Sequence, residues 1–212
     1  MTEKYHMPQN LELVPPENDI LNQVAEAVGP DEIDSEETQG FIEAMLDFAY
    51  SLPRDPAGRT IVGLAAPQLG YNKRIIIVDL NADGSGTQEP DFTVYINPEI
   101  LDLSDTTTLG REGCYSTGSV CVVLPRADRI RMKATDRLGK PILETFRGFQ
   151  ARALQHEGNH LDGIRAPDLV TDDNNLLWVE PEEFGEFRNN WQNWPNKCLR
   201  SKWQAMKAGQ AD

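Results

Sequence analysis

The chain has 212 residues, of which 39% are hydrophobic and 25% are charged, and its formal net charge is −14. These values predict one soluble globular domain with a proper core. The acidic charge argues against general nucleic-acid binding, including direct DNA binding, and no apolar run approaches the ~18 residues of a membrane span. The N-terminus lacks a basic and then apolar signal pattern, so the cytoplasm is the expected location. Three cysteines, an odd number, argue against a disulfide framework.

Charge is spread unevenly along the chain. Residues 187–212 carry +4, which leaves −18 on residues 1–186. We therefore expect a single domain over 1–186 and a basic, Trp-rich extension over 187–212. Its basic residues and tryptophans are Arg188, Lys197, Arg200, Lys202 and Lys207, with Trp191, Trp194 and Trp203. This extension could dock on an anionic partner such as the ribosome, but packing against the body as a terminal helix is favoured, because tryptophans usually become buried.

Hydrophobic periodicity predicts three helices, at 19–28, at about 36–50 and at about 148–161. The first would turn Ile20, Val24 and Ala27 inward. Ser35 is suited to cap the second, in which Phe41, Met45 and Phe48 share one face. The third stops near Gly163, a suitable residue just beyond a helix C-terminus.

The predicted strands lie between the second and third helices. They span residues 61–64, 74–80, 93–96, 120–124, 129–136 and 142–146. Because a run of strands precedes one late buried helix, the pattern indicates an α+β fold.

The third predicted helix carries the densest chemical signal, Gln155-His-Glu-Gly-Asn-His160. Residues four apart share a helix face, so His156 and His160 can present ring nitrogens to one metal ion with Glu157 beside the open coordination position. The alternative is an ordinary solvated helix face that happens to carry two histidines and a glutamate.

A catalytic metal site needs a third protein ligand, and the cysteines are the first candidates. Cys121 lies in an apolar stretch and is expected to be buried filler, while Cys198 lies in the Trp-rich extension. Cys114 follows a glycine that permits a sharp turn at a strand end, so it is the best third ligand. One thiolate and two imidazoles suit Fe²⁺, Zn²⁺, Ni²⁺ or Co²⁺.

Small residues cluster in Gly63-Leu-Ala-Ala-Pro-Gln-Leu-Gly70. They allow another chain or a ligand to approach the backbone closely. Pro67 interrupts the strand and leaves Gln68 on the following turn, where its amide can donate a hydrogen bond to a developing oxyanion. A buried turn glutamine that satisfies backbone groups explains the same pattern.

Three segments together resemble the three motifs of the peptide deformylase family. They are Val62-Gly63-Leu-Ala-Ala-Pro-Gln68, Glu112-Gly-Cys-Tyr-Ser116 and Gln155-His-Glu-Gly-Asn-His160, in the family's order and spacing. The resemblance covers roughly residues 10–180. It implies mixed or antiparallel sheets wrapped around a central metal-binding helix, and removal of the formyl group from N-formylmethionyl peptides of nascent chains, usually with Fe²⁺.

The resemblance also implies a role for individual residues. Cys114, His156 and His160 would bind the metal, and Glu157 would take a proton from water and pass it to the leaving amine. The oxyanion would be held by Gln68 and the backbone N–H of Tyr115. The substrate-binding residues would be Val62, Gly63, Gly113, Phe149, Arg152 and Ala153. Val62 and Gly63 would pair with the substrate backbone, and Val62, Phe149 and Ala153 would line the methionine pocket.

The chain departs from the family pattern at several positions. The family has a glycine at position 61, where this chain has Ile61. It has an apolar residue and an aspartate at Gly158-Asn159, and an apolar residue and a proline at Thr117-Gly118. An apolar pocket residue stands at the position of Arg152. These differences predict altered specificity or efficiency, because no implied metal ligand, general base or oxyanion glutamine is lost.

Two alternatives stay open at this point. A zincin-type peptidase shares the His-Glu-x-x-His pattern and would take a third ligand from Glu180 or Glu182. A non-catalytic peptide-binding or structural metal protein on the same fold would close the site with a fourth ligand, such as Cys121.

Overall fold

The computed structural model of the chain describes residues 11–52, 61–85 and 88–210. Its α-helices are α1 (Glu36–Ser51), α2 (Gly148–Leu161), α3 (Phe184–Asn190) and α4 (Arg200–Lys207). Its strands are β1 (Gly63–Ala65), β2 (Ile75–Asp79), β3 (Phe92–Leu103), β4 (Thr107–Glu112), β5 (Val120–Ala127), β6 (Arg129–Thr135), β7 (Pro141–Arg147) and β8 (Leu176–Trp178). None of the helices in these described ranges is long and apolar enough to cross a membrane.

The strands form two antiparallel sheets around α2. One sheet has the order β1-β2-β3-β6-β7, and the other has the order β4-β5-β8. Helix α2 packs against strands of both sheets and buries Ala151, Leu154 and Leu161. Helix α2 is therefore held in place by both sheets. This packing fixes the positions of the α2 side chains that do not face the core.

One end of each predicted long helix follows its local signal. The Ser35 hydroxyl accepts a hydrogen bond from the backbone N–H of Thr38 at 3.1 Å, so α1 has the predicted N-cap. Helix α2 spans the predicted residues, and Gly163 follows its last turn with φ of +69°. A Cβ at Gly163 would also lie 2.8 Å from backbone atoms of Asn22, so the tight turn depends on glycine.

The predicted helix at 19–28 is wrong. A 3₁₀ turn covers only Asp19–Asn22, and Val24, expected inside, is 67% exposed. The backbone beyond this turn pairs with distant segments instead. The Ala25 N–H donates a hydrogen bond to the Leu161 carbonyl, and the backbone of Glu26 forms an isolated parallel β-bridge with that of Lys73. These long-range hydrogen bonds outweigh a weak local helical preference.

The C-terminal segment packs against the three-stranded sheet, as expected for its aromatic residues. Trp194 and Trp203 are 4% and 0% exposed. The five basic side chains of this segment all contact other parts of the protein. Their partners are Ser85 for Arg188, Asn174 for Lys197, Val170 and Asp173 for Arg200, the Trp178 ring for Lys202 and Asp168 for Lys207.

Candidate active site

Three predicted ligand residues meet beside α2. Cys114 follows the end of β4 by two residues, while His156 and His160 lie one turn apart on α2. One potential ligand atom from each lies within 4.8 Å of the others, and Cys114 Sγ is 3.2 Å from His160 Nε2. The structure thus brings together the residues that sequence reasoning grouped.

A buried carboxylate, Glu112, orients one of the histidines. The Nδ1 atom of His156 lies 2.9 Å from Glu112 Oε2, which leaves Nε2 directed to the shared site. Arg126 donates to both carboxylate oxygens at 2.9 Å, and Arg152 donates to Oε1 at 2.7 Å. Burial acts to raise the pKa of Glu112, but the hydrogen bonds from Arg126 and His156 outweigh it and hold the pKa well below its ordinary value. The two hydrogen-bond partners therefore favour the ionised form of Glu112.

Sequence reasoning missed the role of Glu112 and the partners of two unusual residues. Arg152 lines the cavity, but its guanidinium also bonds the carbonyls of Leu124 and Thr108, so it is anchored to the protein. Asn159 accepts a hydrogen bond from Arg126 at 2.6 Å. The only signal available was that Glu112 stands two residues before Cys114 at a strand end.

Cys114 is held in its metal-binding form. Burial acts to raise the pKa of its thiol, but the charges and hydrogen bonds of His160 and His156 outweigh burial and hold the pKa well below the ordinary value. The thiolate is the form of cysteine that binds metal ions. The amide of Gln68 donates to Cys114 Sγ at 3.4 Å and to Ser116 Oγ at 3.1 Å, while its oxygen accepts from the Ala65 N–H.

Glu157 is a buried carboxylate beside the three ligand residues. It is 5% exposed, and its Oε2 has no hydrogen-bond partner among the described residues. Burial raises the pKa of Glu157 to about 7, against the opposing charges of His156 and His160. A carboxyl with this pKa can accept a proton near neutral pH and release it again.

A cavity of about 530 Å³ opens onto this site. Its walls include all the residues predicted to bind substrate: Val62, Gly63, Gly113, Phe149, Arg152 and Ala153. Tyr115 and Gln68 also line it. Phe184 and Arg188, from α3, form part of the same wall, which sequence reasoning did not anticipate. A Cβ at Gly113 would lie 3.0 Å from the Phe184 ring, so the absence of a side chain at Gly113 leaves room for this ring in the cavity wall.

The ligands proposed by the alternatives lie elsewhere. Within the described ranges, no carboxylate from Glu180 or Glu182 joins the ligand group. Glu180 instead accepts hydrogen bonds from Trp178 Nε1 and the Ser119 hydroxyl. Cys121 also lies outside the ligand group found among the described residues, and burial raises the pKa of its thiol.

The donor set fits a divalent transition metal ion. It combines one thiolate with two imidazoles, one of them oriented by Glu112, as expected of a metal centre. The chemistry of this set is compatible with Fe²⁺, Zn²⁺, Co²⁺ or Ni²⁺. Since the described residues supply three ligands and the cavity meets them, substrate and water can reach the remaining position.

Comparisons with known proteins identify the family. A family model described as polypeptide deformylase matches residues 10–175. The peptide deformylase of Prochlorococcus marinus (strain AS9601) is 40% identical over 115 residues, which are 54% of this chain and 56% of that protein. The chain thus spans about half the length of that relative. The peptide deformylase of Thermodesulfovibrio yellowstonii (strain ATCC 51303 / DSM 11347 / YP87) is 37% identical over 154 residues, covering 73% of this chain and 85% of that protein.

Solved structures agree with the sequence comparisons. A class I type b peptide deformylase from Acinetobacter baumannii is similar with a TM-score of 0.67 and 31% identity, covering 77% of this chain and 100% of that chain. A peptide deformylase from Thermotoga maritima gives a TM-score of 0.65 and 28% identity, covering 78% and 100%. The predicted α+β fold is confirmed by these neighbours, and the chain belongs to the polypeptide deformylase family.

Proposed function

We propose that this chain is a metal-dependent hydrolase that removes the formyl group from N-formylmethionyl peptides. The observation that carries the proposal is Glu157, a buried carboxylate with an unpartnered oxygen, beside the thiolate and two imidazoles at the base of an open cavity. Water enters the reaction, and the products are formate and a peptide with a free amino terminus.

The metal would be held by Cys114, His156 and His160, and Fe²⁺ is the ion that we propose as native. When bound, a divalent metal ion supplies a Lewis acid that polarises the formyl carbonyl and acidifies water. Glu157 takes one proton from the attacking water and delivers it to the nitrogen of the breaking amide bond. Burial keeps the pKa of Glu157 near 7, which suits both halves of this transfer.

We propose that Gln68 and the backbone N–H of Tyr115 stabilise the oxyanion that forms on the formyl carbon. One such donor is worth ~3 kcal/mol in comparable enzymes. Both N–H groups of Gln68 are directed to Cys114 and Ser116, so one of them must turn toward the substrate. The Ala65 N–H holds the amide oxygen at 2.8 Å, which limits this movement to a small rotation.

The substrate backbone would pair with Val62 and Gly63. Gly63 begins β1, which is an edge strand of the five-stranded sheet and can accept another strand. The first side chain of the peptide would then enter the part of the cavity formed by Val62, Phe149 and Ala153.

Location and partners follow from this substrate as proposals. Nascent chains emerge in the cytoplasm, which is where we place the enzyme. Docking of the basic residues in 187–212 on the ribosome stays a prediction, as does the domain boundary at 186. The internal contacts of these basic side chains favour a structural role for the segment.

The test is release of a free amine from formyl-Met-Ala-Ser by protein reconstituted with Fe²⁺ without oxygen. The control is Glu157→Gln, which keeps the shape of the side chain but cannot carry the proton. We expect turnover by the wild type and its loss in the variant, with one metal ion bound per chain in both. Equal turnover in the variant would overturn the role of Glu157, and no turnover by metal-loaded wild type would overturn the proposed function.

A further inference from the structure

Two arginines in the cavity wall have no carboxylate partner among the described residues. Arg111 donates to the carbonyls of Arg188 and Gly84, both at 3.1 Å, and Arg188 donates to the Ser85 carbonyl at 2.6 Å. Within residues 11–52, 61–85 and 88–210, no carboxylate lies within 4 Å of either guanidinium. In the part of the chain that the structure describes, the hydrogen-bond acceptors of these two guanidinium groups are main-chain carbonyls.

Among the described arginines, Arg131, Arg147 and Arg165 also make no ion pair, but neither cavity is lined by them. Six other arginines make ion pairs: Arg74, Arg126, Arg129, Arg137, Arg152 and Arg200. Arg111 and Arg188 are half-buried and close enough to repel each other. Burial lowers the pKa of both guanidinium groups, and the charge of Arg188 lowers that of Arg111 further. Two neighbouring cations that lack counter-charges are costly unless an anion joins them.

The two arginines stand where a ligand can reach them. Both line the main cavity, and both line a second cavity of about 330 Å³ that shares the Phe149 wall. Arg126 and Arg152 lie in the second cavity as well, with Trp191 as a further aromatic wall. Among the described residues, four guanidinium groups and two carboxylates, those of Asp83 and Asp128, thus line the second cavity.

Most of the acidic residues in the two cavities contact other groups of the protein. In the second cavity, Asp83 accepts from the Ser85 N–H and from Gln88, and Asp128 accepts from the Thr108 hydroxyl. In the main cavity the further acids are Asp79, Glu89, Glu112 and Glu157. Asp79 accepts backbone N–H groups, Glu112 binds Arg126 and Arg152, and Glu157 belongs to the metal site.

We infer that Arg111 and Arg188 bind a carboxylate of the substrate, so that the enzyme prefers formyl peptides with an acidic side chain on one of their first two residues. The inference rests on the proposed function and specifies its substrate class. Guanidinium groups match the planar geometry of a carboxylate and bind it with charge-assisted hydrogen bonds. Phe149 lines both cavities, so Arg111 and Arg188 lie next to the pocket proposed for the first side chain of the peptide. We therefore expect them to meet the side chain of the first or second residue.

The experiment compares matched pairs of peptides that differ only in charge. They are formyl-Met-Glu-Ser against formyl-Met-Gln-Ser, and formyl-Glu-Ala-Ser against formyl-Gln-Ala-Ser, with the Fe²⁺ enzyme. We expect kcat/KM to be about tenfold higher for glutamate in at least one pair, and the ratio to fall as salt is added. Arg188→Gln should bring the ratio close to one, and Arg188→Lys should restore part of it. Arg131→Gln, on the exposed face of β6, removes the same charge elsewhere and should keep the wild-type ratio.

The outcomes separate specificity from a general effect on the fold. A loosened loop in Arg188→Gln would slow both members of a pair alike and leave the ratio unchanged, which would contradict the inference. Equal kcat/KM for glutamate and glutamine in both pairs, with formyl-Met-Ala-Ser hydrolysed, would overturn the inference while the proposed function stands. If no formyl peptide is hydrolysed, calorimetry measures the affinities of the same peptide pairs for the metal-loaded Glu157→Gln variant. Tighter binding of the glutamate peptide would support the inference, and equal binding of the two peptides would overturn it.

Discussion

The carboxylate of Glu157 lies directly against the backbone of Gly63. A Cβ at position 63 would meet Glu157 Oε1 at 2.6 Å and its Cγ at 2.7 Å. The edge strand proposed to receive the peptide and the proposed general base are therefore in contact, and glycine at 63 is what permits it. A side chain at position 63 would therefore displace the Glu157 carboxylate.

Gly63→Ala is predicted to displace Glu157 and to lower kcat by at least tenfold, because a small shift of a general base is costly. Overpacking should also reduce the free energy of unfolding by ~1–3 kcal/mol. Steady-state kinetics with formyl-Met-Ala-Ser and a urea titration measure the two effects. Wild-type kcat in this variant would show that the contact does not position Glu157.

Cys114→Ala is predicted to weaken metal binding strongly, since it removes the one thiolate of the donor set. The matched control is Cys121→Ala, whose buried thiol has a raised pKa and lies outside the ligand group. Metal content after dialysis against a weak chelator measures the difference. Full metal retention in Cys114→Ala would remove this residue as a ligand.

Glu112→Gln is predicted to lower metal affinity about 10–100-fold, because His156 loses the anion that orients its ring. The variant also leaves Arg126 and Arg152 without their shared carboxylate, so unfolding should become easier by ~3 kcal/mol or more. Titration with Co²⁺, followed by its absorption, measures the affinity in protein that circular dichroism shows to be folded. Unchanged Co²⁺ affinity would contradict the orienting role.

Gly158→Ala is predicted to stabilise the protein by ~0.5–1 kcal/mol, since glycine inside a helix is unfavourable and a Cβ there meets no atom within 4 Å. The expected rise in Tm is about 1–4 °C. Gly163→Ala is the contrasting variant, because its φ of +69° and the nearby Asn22 backbone exclude a side chain. It should lower Tm, and a gain there would refute the argument from backbone conformation.

Asp168 is predicted to contribute stability that acid removes. Burial acts to raise the pKa of its carboxyl, but hydrogen bonds from Lys207 and Trp203 outweigh burial and lower the pKa. The unfolded chain, with a pKa of ~3.9, then binds a proton more readily than the folded chain. The contribution is complete above about pH 5 and is lost as pH falls through the unfolded and then the lower folded pKa.

Asp168→Asn should therefore lower the free energy of unfolding at pH 7 and should flatten its decline below about pH 5. Urea titrations across this range measure both effects. Asp47→Asn, on the exposed face of α1, is the matched control. If the free energy of unfolding declines as steeply with acid in Asp168→Asn as in the wild type, Asp168 is not the group responsible for the decline.

Much of the fold could be predicted because its signals are local. The bounds of α2, the Ser35 cap and the Gly163 stop depend on residues within a turn or two of one another. Strand β3 extends well beyond its predicted end at residue 96, although Asn97-Pro98 is a typical strand breaker. Asn97 adopts a positive φ, and its side-chain amide exchanges two hydrogen bonds with the backbone of Val28. This distant segment stabilises the irregular backbone, so the strand continues past Asn97.

The residues of the candidate site could be grouped from local patterns: two histidines four apart on a helix, a glutamate between them and a cysteine after a strand end. Helical periodicity alone places His156 and His160 on one face, whatever the rest of the chain does. Only the tertiary structure decided that Glu112 holds His156 and that Arg188 faces the cavity beside Arg111. Such contacts join residues more than forty positions apart, and they depend on how two sheets and a C-terminal segment pack around α2, which no local pattern encodes.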